Sequence, residues 1–205
     1  STGVVLNMGT APSADTPKRD LAEDRRSWFE RWYAKLGFTV IVPKPSFSNR
    51  EFARREKKGQ TLVYRPATSD VSYEVFMRAV GHGEHWTVED AAERAKIGWE
   101  PTETGYWYWA DAQDACPRLN TTWNDLTAKH HLLSLEEYVI LWHAVKTEHH
   151  RMLDRSTFTW LRTRLGPGAL NANEYDGQVL VYGNSETDLS IPYGIGGGRA
   201  ADVVK

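Results

Sequence analysis

Histidine is the first residue type in this chain to weigh for chemistry, since there are seven of them. A catalytic zinc site on a helix needs two His four residues apart with a Glu between them, so that both imidazoles share a face. "HGEH" (82–85) instead sets His82 and His85 three apart, around Glu84, in a Gly-broken segment. His143 and His149 are six apart, His143 and His150 supply only two ligands, and His130 and His131 precede the same segment. The reading is solvated or capping histidines, those near a helix C-terminus suiting its dipole. "GIGGGRA" (194–200) has the glycines of a phosphate loop, but such a loop needs a helix behind it to aim N–H groups at the anion. "RAADVVK" is too short for one, so the glycines are expected to allow tight turns or close strand approach.

Nucleophiles fare no better. There is no Gly-x-Ser-x-Gly turn, and Cys116 stands before Pro117 without an activating base. Glu136 and Glu137 are adjacent, point apart on a helix, and read as helix-start acids that complement the dipole. The expectation is no catalytic residue, no metal site and no cofactor.

The bulk properties agree with a folded protein. A chain of 205 residues with 40% hydrophobic and 12% aromatic residues, nine of them Trp, suits one domain with its own core. A net charge of −2 argues against a nucleic-acid surface, which needs a basic excess. A single cysteine excludes an internal disulfide framework. No apolar run reaches membrane-spanning length and no signal-peptide pattern opens the chain, so a soluble protein without membrane insertion is expected. Association with a virus particle or a cell surface is compatible with this.

The elements that would position any site read as follows. Residues 1–17 form a flexible lead-in. Asp20 to Leu36 is an amphipathic helix with Leu21, Trp28, Trp32 and Leu36 in register and Gly37 ending it. "FTVIV" (38–42) is a short strand, Ser48 and Glu51 box a charged helix, and "TLVYR" (61–65) is a strand. "VSYEVFMRAV" (71–80) favours a helix, and Thr87 caps another that ends at Gly98. Alternation over Tyr106 to Trp109 gives way to a helix from Ala110 to near Pro117. Ser134 and Glu137 box the clearest helix, "LEEYVILWHAVKTEHH". Short strands follow, among them Gly177–Tyr182 and Arg199–Val204, around an aperiodic stretch from Gly183 to Ile195. Helices early and strands late give an α+β class. Trp28, Trp32, Trp86 and Trp99 are expected to pack within an N-terminal elaboration over 18–104.

"YWYWADAQDACPRL…LLSLEEYVILWHAV", followed by short strands, resembles the C-type lectin fold. That fold has an aromatic strand, a first helix of the W-x-x-A-x-x-x-C kind, and a second helix opening L-x-[ST]-x-E-E. Trp109, Ala112, Cys116, Leu133, Ser134, Glu136, Glu137 and Tyr138 stand at the matching positions. The fold's second cysteine is absent. "WND" (123–125) also occurs in calcium-dependent lectins, but the accompanying Glu-Pro-Asn or Gln-Pro-Asp loop is missing, so Trp123 reads as buried with Asn124 and Asp125 in a turn.

"STFTWLRTR", "GALNANEYDGQVLVYG" and "GGGRAADVV" narrow the resemblance, over roughly 47–205, to the variable proteins of diversity-generating retroelements of archaea and their viruses. The resemblance implies a single C-type lectin-like domain over 18–205, its core at 105–205 and a variable region at about 156–199. It implies a receptor whose partner is an unknown protein or surface ligand. The implied variable residues are Thr157, Thr159, Tyr175, Asp176, Leu180, Tyr182, Asn184, Ser185, Thr187, Asp188, Ser190, Tyr193 and Ile195. Tyr182 and Tyr193 would be anchors. Trp160, Leu161, Val179 and Val181 would be scaffold, Arg199 part of the constant end, and Glu186 a fixed position, since randomised Asn codons cannot yield Glu. The rivals are a formylglycine-generating type of enzyme, which needs a cysteine pair late in the chain, a metal-dependent enzyme on the histidines, and a structural or virion protein that does not vary.

Overall fold

The computed structural model describes residue 9, residues 18–81, the backbone of 85–86, and residues 90–205. The expected lead-in (residue 9 apart), His82, Glu84 and the Thr87 cap lie outside the described residues.

Helix α1 (Leu21–Lys35) starts where Asp20 accepts the Glu23 N–H at 3.2 Å, and ends before Gly37, whose φ of 93° suits only a residue without Cβ. Its buried stripe is Ala22, Arg25, Phe29, Trp32 and Tyr33; the expected Leu21, Trp28 and Leu36 only flank the core. Residues 38–42 alternate as expected, with Val40 and Val42 buried and Ile41 exposed, but join no ladder and are not a strand. Ser48 accepts the Glu51 N–H at the start of α2 (Asn49–Lys57), and β1 (Gln60–Arg65) follows. Next come α3 (Tyr73–Ala79), β2 (His85–Trp86) and the single turn α4 (Ala91–Arg94), capped by Asp90.

The helix expected from Ala110 does not form. Ala110 and Asp111 extend β3 (Tyr106–Asp111), where Ala110 pairs with both Thr61 and Ala201, and the Ala112 N–H continues onto Gly59 O at 2.9 Å. Ladder partners on both sides override local helix preference. The next helix is instead α5 (Trp123–Lys129), so Asn124 and Asp125 open a helix capped by Thr122 rather than a turn, while Trp123 is buried. Helix α6 (Leu135–His149) carries the full capping box of Ser134 and Glu137. The chain closes through β4 (Phe158–Leu165), β5 (Gly168–Tyr175), β6 (Gln178–Asn184), a 3-10 turn at Glu186–Ser190, β7 (Gly196–Gly198) and β8 (Ala201–Val203).

The described residues thus form an α+β architecture of six α-helices and two sheets, without a barrel. One sheet runs β1-β3-β8 and the other β2-β6-β5-β4-β7. Helix α6 is buried continuously from Leu135 to Val145 and packs against β1 of the first sheet and β4 of the second, as a helix enclosed on all sides must. His143 belongs to that buried stretch, beside Phe76 and Trp142, and is not the solvated or capping residue expected. Glu136 and Glu137 are buried too. Glu137 accepts from the Ser134 N–H (2.9 Å), Tyr106 OH (3.0 Å) and Arg162, and Glu136 meets Arg65 at 3.2 Å. Among the described residues no helix is long and apolar enough to cross a membrane.

Candidate functional site

The five-stranded sheet has two faces, and register assigns each residue to one of them. Thr159, Ala172 and Val181 pair across β4, β5 and β6 and face α6; Trp160, Asn171 and Tyr182 pair one residue on and face away from it. The outward set continues with Asn173, Leu180, Tyr175, Gln178 and Asn184. The predicted scaffold residues Trp160, Leu161, Val179 and Val181 are all buried.

At its β4 end this outward face is covered. Trp160 packs with Trp123 and Leu126 of α5, with Leu132, and with Leu189 from the 3-10 turn, while Phe158 and Tyr193 flank the cluster. The aperiodic stretch is therefore anchored by one apolar side chain in its middle. Its polar residues set its shape. The Ser185 N–H and Oγ donate to Asp188 Oδ2 at 3.0 and 3.1 Å, and the Tyr193 hydroxyl donates to Asp188 Oδ1 at 3.2 Å. Partial burial, then Asp188, raise the Tyr193 phenol above its ordinary pKa. Ser190 Oγ donates to Thr187 O at 3.1 Å.

At the β5–β6 end the face is open. Tyr175 is 62% exposed and Leu180, Tyr182 and Asn184 are half-buried along β6. Asn184 Nδ2 donates to Ala169 O at 3.2 Å, which holds that side chain against the sheet. Asp176 and Gly177 form the two-residue hairpin turn with φ of 52° and 76°, the pairing that Asp-Gly favours. Thr187 and Ile195 are exposed at the loop rim, Ile195 at the β7 edge roughly 14 Å from β6 at the usual ~4.8 Å strand spacing.

Two of the expected variable residues do not belong here. Thr157 and Thr159 are buried and each donates to Asp154, at 2.7 Å. Asp154, wholly buried with a φ of 59°, also accepts from Tyr138 OH (2.7 Å) and from Arg199 Nη2 (2.9 Å). Arg199 Nη1 reaches Asp111 O at 3.1 Å, and Thr157 Oγ1 accepts the Cys116 N–H at 2.9 Å. A charge pair buried this deeply needs every donor it has, which removes both threonines from any exposed surface. The Cys116 thiol, 3.3 Å from Thr159 Oγ1, is pushed up to about 12 by burial and is no nucleophile.

The glycines act by close approach. A Cβ on Gly197 would stand 2.2 Å from Pro117 O, and one on Gly196 2.2 Å from the Phe158 ring, so β7 can lie parallel to β4 only without side chains. Sequence reading missed Asn171, Asn173 and Gln178, which share the outward face; the polar alternation of "LNAN" was the available signal. Asn173 Oδ1 and Gln178 Oε1 have no hydrogen-bond partner among the described residues. Among those residues, too, no group of three His, Cys, Asp or Glu side chains is placed to hold a metal ion.

Compared with known proteins, the chain matches no family model, no curated sequence and no solved structure.

Proposed function

We propose that this protein is a receptor on a C-type lectin-like scaffold, its C-terminal surface diversified by a retroelement to bind changing protein or surface ligands. One observation carries the reading: an open sheet end bearing Tyr175, Leu180 and Tyr182, continuous with a loop whose shape is fixed from within. Side chains that project from a rigid ladder and touch little can change without disturbing the core. Exposed aromatic residues supply contact area at low entropy cost. Of the thirteen residues first assigned, Tyr175, Leu180, Tyr182, Thr187 and Ile195 form the contact set. Asp176, Asn184, Ser185, Asp188, Ser190 and Tyr193 shape the turn and loop that present it. The missing helix at Ala110–Pro117 is a departure from the lectin pattern, and α5 occupies its place before α6.

A displayed library randomised at the five contact positions tests this. Most members should fold, by protease resistance, and yield binders to unrelated proteins. A library randomised at Thr157, Thr159 and Arg199 should lose folded display. Equal loss of folding in both libraries would overturn the reading.

A further inference from the structure

On the other side of α6, away from the recognition face, a cavity of about 250 Å³ opens between β1, α3, residues 99–101 and α6. Phe76, Val139 and Ile140 give it an apolar wall. Tyr73 and Trp99 stand together among its lining residues, their rings 4.8 Å apart. Trp99 packs on Tyr73, as expected of it, while remaining 41% exposed.

The polar side of the cavity is an ion pair with a remainder. Arg65 and Glu136 are each only 6% exposed, and Arg65 Nη2 lies 3.2 Å from Glu136 Oε2. The guanidinium also donates to Tyr106 OH, at 3.1 Å, and to Glu100 O. Glu136 Oε2 also accepts the Glu100 N–H at 3.3 Å. Glu136 Oε1 is buried and accepts nothing from the described residues. A carboxylate oxygen withdrawn from water without a donor is costly, and a ligand that supplies the donor recovers that cost.

Charge decides which donor fits. Among the described residues the lining holds one cation, Arg65, against Glu74, Glu100 and Glu136, and of these acids Glu100 also pairs with the Arg162 guanidinium at 2.9 Å. An anion would meet a negative wall, and a neutral hydrocarbon would leave Oε1 bare. An ammonium group answers both the missing donor and the surplus charge, and aromatic faces attract cations. We propose that this cavity is a binding site for a small organic ammonium ion with an apolar, ring-sized body, its N–H donating to Glu136 Oε1 and its body lying against Phe76, Val139 and Trp99. No residue of the recognition face lines the cavity, so the site stands independently of the receptor reading.

The protonation state of the carboxyl gives the site a pH signature. Burial pushes Glu136 up to about 7, with Arg65 opposing and the neighbouring Glu100 and Glu137 adding to the rise. Tyr106 and Arg162 bind the neighbouring Glu137, and Glu74 lines the same cavity. A protonated Glu136 no longer attracts a cation, so binding is strongest above about pH 7 and weakens below it.

The full chain is titrated with phenethylamine, followed by saturation-transfer NMR and calorimetry, with 2-phenylethanol as the neutral counterpart. The amine should bind with a Kd of about 1 mM or tighter, a reasonable value for a fragment of its size. The alcohol should bind at least tenfold more weakly, and the amine should lose about tenfold between roughly pH 8 and pH 5.5. Glu136→Gln and Trp99→Ala should each weaken the amine at least fivefold while keeping the native circular-dichroism spectrum. Equal affinity for amine and alcohol, or no saturation transfer to the amine, would overturn the proposal. Should Glu136→Gln not fold, Trp99→Ala and the amine–alcohol comparison still decide it, because Trp99 is half-exposed at the cavity.

Discussion

Asp154 and Arg199 meet at 2.9 Å with neither side chain exposed to solvent, and Tyr138 of α6, Thr157 and Thr159 at β4, and Asp111 of β3 contribute atoms to the pair's surroundings. Removing one partner of such a pair leaves an uncompensated charge in the interior, at a cost of about 3–5 kcal/mol. Arg199→Met should therefore lower the urea midpoint by that equivalent, whereas Tyr175→Ala should change stability by less than about 0.5 kcal/mol. Glu136 gives the second residue-scale expectation. In the folded protein it holds its proton to about 7, while in the unfolded chain it releases it near 4.5. The folded state binds more protons between those values, so this residue's contribution is full below about pH 4.5 and is lost as pH rises through about 7. Its worth is about 3 kcal/mol at most. Urea unfolding of the native chain and of Glu136→Gln across that window should show the difference in stability moving against the native chain as pH rises. A constant difference would contradict the assignment. Thr157 and Thr159 mark the limit of reading residues from sequence. Strand β4 is covered on both faces, by α6 on one and by α5 with the 3-10 turn on the other, so alternation no longer separates inside from outside. Nothing local in "STFT" announces a carboxylate waiting at Asp154.

Elements with their own start and stop signals were legible. Helices α2 and α6 begin at the expected caps, and α6 stands out because Ser134 and Glu137 satisfy each other's orphan donors. Both halves of that box are buried, so Ser134→Ala should cost about 1–2 kcal/mol by thermal or urea unfolding, at the upper end for an N-cap. A loss indistinguishable from zero would mean that the box contributes nothing to the helix. Elements decided by distant partners were not legible. Ala110–Pro117 has helix-forming composition, yet strands β1 and β8 claim its first residues. Residues 38–42 have strand composition and correct alternation, yet join no ladder among the described residues. Leu189 was lost inside an aperiodic segment, because a single anchoring residue has no period to detect.

Across the whole molecule, two functions of the interior separate by location. The five-stranded sheet separates the buried helix α6 from the face that carries the exposed aromatics, and the ion-paired cavity lies on the far side of α6. The polar network of Asp154 ties β4, α6 and the β7–β8 junction together, so the loop from Ser185 to Ile195 is held at both ends and by Leu189 in between. That arrangement explains how the exposed set could change while the fold persists. The direct measurement is to sequence the 3′ end of the gene and its flanking DNA across the source population. Substitutions should be confined to adenines of a nearby near-copy, fall on Tyr175, Leu180, Tyr182, Thr187 and other outward positions, and spare Thr157, Thr159, Val179, Val181 and Arg199. A uniform 3′ end without a template repeat, or changes spread equally over inward and outward positions, would contradict a diversified recognition face.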